Sequence, residues 1–282
     1  MSIAVMMLLH KNKDQVIRLI KHLSTDFDVY VHIDKRSNII VESTENVYVY
    51  KKFSTYWGSF NQIMATLFLF MEAYKKKYDR YLLISGQDLP IKSNKEIIDF
   101  FEGNNKEFIK SAKMPVQDLK GNGGLDRMTK YWPNWRHRGS NNIILKILFK
   151  NIVLPFFNLV SNIIPRPIDY DFYKGTNWIN VTHICVNKIL DFLEKYPEFI
   201  KRFKWTNCAD EIFFQTIIKQ FNELEIVNES LRYINWTDGP EYPKVFRKID
   251  YENIFNSNQL FARKFDADID NEIIEMIYKK YN

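Results

Sequence analysis

Only two cysteines, Cys185 and Cys208, occur among the 282 residues. Neither belongs to a paired metal-ligating spacing, and two thiols build no disulfide scaffold, so reduced thiols and a cytoplasmic setting are expected. No basic stretch precedes the opening run Met1-Ser-Ile-Ala-Val-Met-Met-Leu-Leu9. That run reads as a first buried strand, not a signal peptide. No apolar stretch is expected to reach the length of a membrane span. Zinc-finger, RNP and helix-turn-helix signatures are missing too, so nucleic acid is not an expected partner. Internal repeats and low-complexity linkers are also lacking, which favours one composite domain over two.

What is present supports a large core. Apolar residues make up 46% of the chain, and aromatics 16%. Surplus Trp and Tyr line carbohydrate sites or fill cores. The formal net charge of +6 suits an anionic substrate or an anionic membrane surface.

The first half alternates strand and helix patterns. Strands are expected at 3–9, 28–34, 47–50 and 81–85, with helices at 13–23, 57–77 and 94–101. This order predicts an α/β sheet of nucleotide-binding topology. Ser93-Asn-Lys-Glu96 carries a capping-box signature for the last of these helices. The middle differs. Residues 121–139 are rich in Gly, Asn, Arg and Trp, including Trp132, and read as a long functional loop. Residues 143–164 mix Lys146 and Lys150 with large apolar side chains around Pro155. The proline argues against one straight helix, leaving a hydrophobic hairpin on the core or an element dipping into an anionic bilayer. Beyond it, strands are expected at 178–186, 231–236 and 260–265, and helices at 187–195, 209–221 and 271–281.

The segment Tyr81-Leu-Leu-Ile-Ser-Gly-Gln-Asp-Leu-Pro-Ile-Lys-Ser93 is the most informative. An apolar strand ends in a small polar turn, where open α/β sheets place ligands. Nucleotide-sugar transferases often carry an Asp-x-Asp metal motif at such a turn. Here Asp88 stands alone, with Gly86 two residues before it, so the usual metal grip is lacking. Asp210-Glu211 opens a helix pattern, and reads either as capping or as a general base. Arg232, Arg263 and Lys264 are cations in strand patterns. They are either solvated or a clamp for a departing diphosphate. Strand alternation would send Arg263 and Lys264 to opposite faces. His32 and Asp34 end the second strand, where an acid contacts a ribose or makes a simple turn. Trp57-Gly-Ser-Phe starts a helix whose free N–H groups either meet phosphate or are capped. Asp169/Asp171 and Asp266/Asp268/Asp270 are the remaining acid groups able to hold a cation.

Together, His32-Ile-Asp34, Tyr56-Trp-Gly-Ser-Phe60, Ser85-Gly-Gln-Asp-Leu-Pro-Ile-Lys-Ser93, Gly175-Thr-Asn-Trp178, Asp210-Glu211, Leu231-Arg-Tyr-Ile-Asn-Trp236 and Leu260-Phe-Ala-Arg-Lys-Phe-Asp266 resemble glycosyltransferase family 14. This is the core-2/I-branching β-1,6-N-acetylglucosaminyltransferase and peptide O-xylosyltransferase family. The segments run in family order over most of the chain. The resemblance implies a GT-A-like fold: a Rossmann-like nucleotide-binding half joined to a mixed central sheet. On it, 1–115 would bind the nucleotide sugar, 116–170 would face acceptor or membrane, and 171–282 would supply catalytic and diphosphate-binding groups.

The resemblance also implies an inverting transferase that needs no metal or other cofactor. Glu211 would be the base. His32, Asp34, Trp57, Asp88, Arg232, Arg263 and Lys264 would hold a UDP-sugar, with GlcNAc or xylose the expected sugar. Asp88, Trp132, Trp178 and Trp236 would meet the acceptor. Animal members carry a membrane anchor, a stem and many cysteines. Their lack here is similar to a compact bacterial form, cytoplasmic or peripheral on the inner face of the plasma membrane. Its acceptor would then be a glycan or lipid-linked glycan of surface polysaccharide. The alternatives are a metal-dependent GT-A transferase of another family and a non-catalytic carbohydrate-binding protein.

Overall fold

The computed structural model describes residues 1–133, 143–238 and 242–280. The loop expected at 121–139 therefore lies partly outside the described residues, as does the last residue expected in the closing helix.

Strand β1 (Ile3–Leu9) lies at the heart of the sheet, paired in parallel with β2 (Asp28–Ile33) and β4 (Arg80–Ser85). Its unbroken apolar run follows from that place, because a parallel strand covered on both faces has no polar side. Ile3, Val5, Met7 and Leu9 feed one core, while Ala4 and Met6 feed the other. Beyond β2 runs β3 (Val47–Tyr50), also parallel. Helix α1 (Lys13–Leu23) buries Gln15, Val16, Leu19, Ile20 and Leu23. Helix α2 (Phe60–Tyr74) covers the opposite face, and α3 (Asn94–Phe101) follows β4. The Ser93–Glu96 capping box forms as its sequence signature predicts, with the Ser93 amide donating to Glu96 at 2.8 Å.

The rest of the sheet is not parallel. The short β5 (Asp88–Pro90) leaves it, and β6 (Glu107–Lys113) and β7 (Tyr173–Thr182) enter it. Strand β7 is antiparallel to both β4 and β6, and β8 (Ile226–Val227) runs parallel to β6. Among the described residues the order is β3-β2-β1-β4-β7-β6-β8. This is the mixed sheet with a Rossmann-like half that the sequence led one to expect. Strands β9 (Arg232–Ile234) and β10 (Phe261–Arg263) join β5 in a second, small sheet, with β10 in the middle. That sheet brings the basic strand against Asp88.

Several boundaries differ from expectation. Residues 183–186 are not strand but the first turn of a helix, His183–Lys195. Thr182 caps it by accepting from the Cys185 amide, and that cap overrides the β propensity of Ile184 and Val186. The helix expected at 209–221 is a 3₁₀ turn, Ala209–Glu211, followed by a short α-helix, Phe213–Ile218.

The largest correction concerns 143–164. It is neither a hairpin nor too short to span a bilayer. It is one helix, Ile143–Ile163, 21 residues long, and apolar enough by length and composition to cross a membrane. Pro155 does not break it because the turn just before, Phe149–Val153, widens to π geometry, with Leu154 donating back to Phe149. That widening gives the ring room and uses no amide that proline lacks.

Candidate active site at the carboxyl ends of the parallel strands

Chain segments leaving β1, β2 and β4 converge at one edge of the sheet. The Asp34 amide donates to Leu9, and the Gly86 amide to Leu8. Gly86 sits where α1 presses on the turn. A Cβ there would lie 2.5 Å from Val16 and 2.9 Å from Leu9. The first acid of an Asp-x-Asp pair therefore has no room at this position.

Asp88 is wholly buried. One carboxylate oxygen accepts from the Ser85 amide (2.7 Å), the Ser85 hydroxyl (2.5 Å) and Arg263 (3.1 Å). Arg263 lies over the Trp178 ring at 4.5 Å, and Arg232 lies over the same ring at 5.3 Å. Arg232, expected from sequence on the diphosphate, is turned into the interior here. Its side chain is fully buried. It donates to Ser230 at 2.6 Å and to the Leu83 carbonyl, and its Nε faces Asp88 at 3.9 Å. Burial, opposed by the Asp88 charge, lowers its pKa to about 10. Asp88 and Arg232 thus brace Arg263 and Trp178 from behind and present no group to solvent themselves.

Strand β10 ends at Arg263, so Lys264 escapes the alternation expected for the pair. The Phe265 amide donates to Gln87 and the Phe246 amide to the Lys264 carbonyl, which fixes the backbone on either side. His10, Lys11, Arg263 and Lys264 all gather here, and His10 feels the charges of the other three. Lys11 is bonded to Asp266, which also accepts from Asn12 at 2.7 Å. Among the described residues no carboxylate pairs with Lys264. Burial first, then Arg263 and Lys11, holds its ammonium below the usual lysine pKa. A half-buried cation crowded by other cations stabilises incoming negative charge.

At the end of β2, His32 and Asp34 are both buried. His32 Nε2 accepts from the Phe53 amide at 3.0 Å, so the ring proton is on Nδ1, which is buried and has no partner among the described residues. Burial lowers its pKa to about 4 and keeps the ring neutral. Burial would raise the Asp34 carboxyl, but hydrogen bonds from Arg36 and Thr55 outweigh it and hold it low. Arg36 pairs with Asp34 at 2.7 Å and lies over Tyr56 at 3.8 Å.

The Trp-Gly-Ser-Phe and Asp-Glu segments prove to be one unit. Gly58 adopts φ +66°, and a Cβ there would lie 3.1 Å from Cys208 Sγ. The Cys208 amide donates to the Gly58 carbonyl, and Gln62 on α2 donates to Asp210 at 2.9 Å. This docking presents Glu211 on the 3₁₀ turn. Its carboxylate accepts from Arg127 at 2.7 Å and Lys174 at 3.1 Å, and its side chain remains 29% exposed. Asp210 faces inward instead. Burial, then the neighbouring Glu211 charge, raises its carboxyl to about 7. The two adjacent acids are thereby separated, one reachable from solvent and one kept inside.

Strand β7 links the two charged regions. Lys174 pairs with Glu211, and Trp178, four residues further along at ~3.3 Å per residue, lies beneath Arg263. Arg127, Lys174, Gln62, His10 and Lys11 were not singled out from sequence. Only Arg127 carried a hint, through its place in the Gly- and Asn-rich loop. Of the remaining candidates, Trp57 is exposed and lies 6.2 Å from the Tyr242 ring. Trp236 is exposed just past β9. Trp132 is part-buried, and its indole donates to the Asp126 carbonyl. Of the other acids, Asp169 pairs with Arg202, Asp171 pairs with Lys113, and Asp270 caps a helix. Among the described residues no three His, Cys, Asp or Glu side chains form a metal-holding group.

The fold is a mixed α/β sheet with a Rossmann-like half, and at its edge lie the part-exposed Glu211 carboxylate and a cluster of cations. The chain belongs to the Core-2/I-Branching enzyme family, whose profile matches residues 3–259. It is similar to Xylosyltransferase 2 of Rattus norvegicus, with 24% identity over 98% of this chain and 33% of that protein. It is also similar to Xylosyltransferase oxt of Drosophila pseudoobscura pseudoobscura, with 23% identity over 95% of this chain and 32% of that protein. The chain thus spans about a third of the length of these relatives. Among solved structures it resembles the WbbM bifunctional glycosyltransferase in its apo form, at TM-score 0.41 and 14% identity, over 92% of this chain and 45% of that one.

Proposed function

We propose that this chain is an inverting, metal-independent glycosyltransferase. It moves a sugar, GlcNAc or xylose, from a UDP-sugar to a hydroxyl of a glycan acceptor. The acceptor we favour is a lipid-linked intermediate of bacterial surface polysaccharide, met at the cytoplasmic face of the membrane. The observation that carries this reading is a reachable carboxylate, Glu211, on Lys174 at one end of the β7 segment 174–178, and Arg263 over Trp178 at the other, with Lys264, which no carboxylate pairs with among the described residues, next to it in the chain.

The chemistry follows from those two groups. The Glu211 carboxylate takes the proton of the acceptor hydroxyl. The hydroxyl oxygen forms its bond to the anomeric carbon as the bond from that carbon to the diphosphate oxygen breaks. The leaving diphosphate keeps the electron pair, and Lys264 and Arg263 stabilise its added charge. One displacement inverts the anomeric carbon. Arg127 and Lys174 orient the base. Exposed Trp57 and Trp236 offer faces for sugar rings.

Titration of Lys264→Ala with uridine and with UDP tests the proposal. A charge-assisted contact to phosphate contributes about 1.5–3 kcal/mol, so UDP should weaken by roughly 10- to 150-fold while uridine changes little. Equal losses for both ligands would remove Lys264 from the diphosphate. A melting-temperature screen across UDP-GlcNAc, UDP-xylose, UDP-galactose and UDP-glucose then identifies the donor, since a ligand of the native state raises apparent stability.

A further inference from the structure

We infer that the helix Ile143–Ile163 is a membrane-docking element that lies in the plane of an anionic bilayer. Its inner face is a stripe of period four: Leu145, Phe149, Val153, Phe157 and Ser161. At 3.6 residues per turn such a stripe would wind about 160° around the helix over sixteen residues. The π turn at Phe149–Val153 takes back much of that drift. The stripe can therefore stay turned to the protein along the whole helix. Its far end is seen to be attached. The Phe157 ring lies 5.5 Å from Trp205, and the Ser161 hydroxyl accepts from the Tyr131 amide at 2.9 Å. Arg166 then ties the chain back to the body through the Lys130 and Trp205 carbonyls.

The outer face is largely apolar, with Asn151 the polar residue within it, and among the described residues it is exposed. Ile143, Ile147, Ile152, Phe156, Leu159 and Ile163 are each more than half exposed. Water-facing isoleucines and phenylalanines in such a row need an apolar medium. Polar residues lie to one side of this face: Lys146, Lys150, Asn158 and Asn162 are exposed in the positions between. Lysines flanking an apolar helical face match headgroup phosphates when the helix lies flat, and no acidic residue occurs in the helix to oppose them. The chain's net charge of +6 adds long-range attraction of the same sign. A spanning helix is the poorer fit, because lipid would have to surround the face that holds Trp205 and Tyr131.

Flotation of the full chain decides the matter, using vesicles of phosphatidylglycerol with phosphatidylcholine against phosphatidylcholine alone. Binding is expected to the anionic vesicles, at least tenfold weaker to neutral ones and weaker in high salt. Phe156→Asp/Leu159→Asp should abolish it, and Lys146→Glu/Lys150→Glu should remove the anionic preference. Both pairs are exposed, so unchanged melting temperature and donor binding verify that the variants fold. Transfer to a soluble acceptor should persist in them, which separates failure of docking from failure of the transferase reading. Three results would overturn the inference: no binding to either vesicle, a dimer that Phe156→Asp/Leu159→Asp dissolves, or protein that high salt and alkaline carbonate cannot extract, as a spanning helix would behave.

Discussion

Replacing Glu211 by glutamine removes one charge and preserves shape. The structure sets what that does to stability. Glu211 pairs with Arg127 and Lys174, and the three side chains are 29%, 21% and 21% exposed. Pairs with that much solvent contribute about 0.2–1 kcal/mol each. Losing both costs on the order of 1 kcal/mol, or roughly 2–4 °C of melting temperature for a chain of this size class. Catalysis should suffer far more. A general base supplies roughly 10²–10⁴ in rate, so turnover should fall about 100-fold or more, equal to about 3 kcal/mol of barrier. Donor affinity should stay near that of the parent, because the cations at Arg263 and Lys264 are untouched. A second signature is local: without the Glu211 charge, the buried Asp210 carboxyl should titrate at lower pH, since that charge is part of what raises it. Initial rates of nucleoside diphosphate release, with direct titration of the donor, read the first two effects. A variant turning over near the parent rate, or one losing only donor affinity, would remove Glu211 from the role of base.

Two further substitutions probe buried charge. Arg232→Met should behave as a stability lesion, not a selective loss of UDP. It leaves Asp88 buried with half its counter-charge, at a cost of about 3–5 kcal/mol, visible in denaturant unfolding; a variant of parental stability that binds UDP poorly would restore the clamp. Asp210→Asn should remove the Asp210 share of the pH dependence of stability. The folded carboxyl titrates near pH 7 and the unfolded one near ~3.9, so between these values the native state binds the extra proton and stability falls as pH rises. The neutral, buried His32 makes stability rise with pH over part of this range, so the test is the difference: from pH 4 to 8 the stability of the parent relative to Asp210→Asn should fall as pH rises. Parallel slopes would show that Asp210 is not raised.

The Rossmann-like half was legible because local signals and burial agree there. Ile3–Leu9, Lys13–Leu23 and Asn94–Phe101 fall where apolar runs, helical spacing and the Ser93 capping box place them. The candidate site was legible as a set of segments, yet the role of each residue within it was not. Arg232 and Lys264 are both basic residues in strand patterns, and nothing in their spacing says which is buried. That depends on β9 and β10 joining β5 in a second sheet, which turns Arg232 toward Asp88 while Lys264 falls just beyond its strand. Lys174 and Arg127 acquire meaning only when β7 and the 126–129 turn meet Glu211 across 37 and 84 residues of sequence. Pro155 misled for a similar reason. Proline's local rule, breakage of an α-helix, holds for i→i−4 geometry, and here a π turn supplies a different geometry at the one place where it is needed. Periodicity reports which residues share a face. It cannot report what that face meets, and in this chain the partner decides whether an Asp, an Arg or an apolar stripe becomes framework, ligand contact or surface.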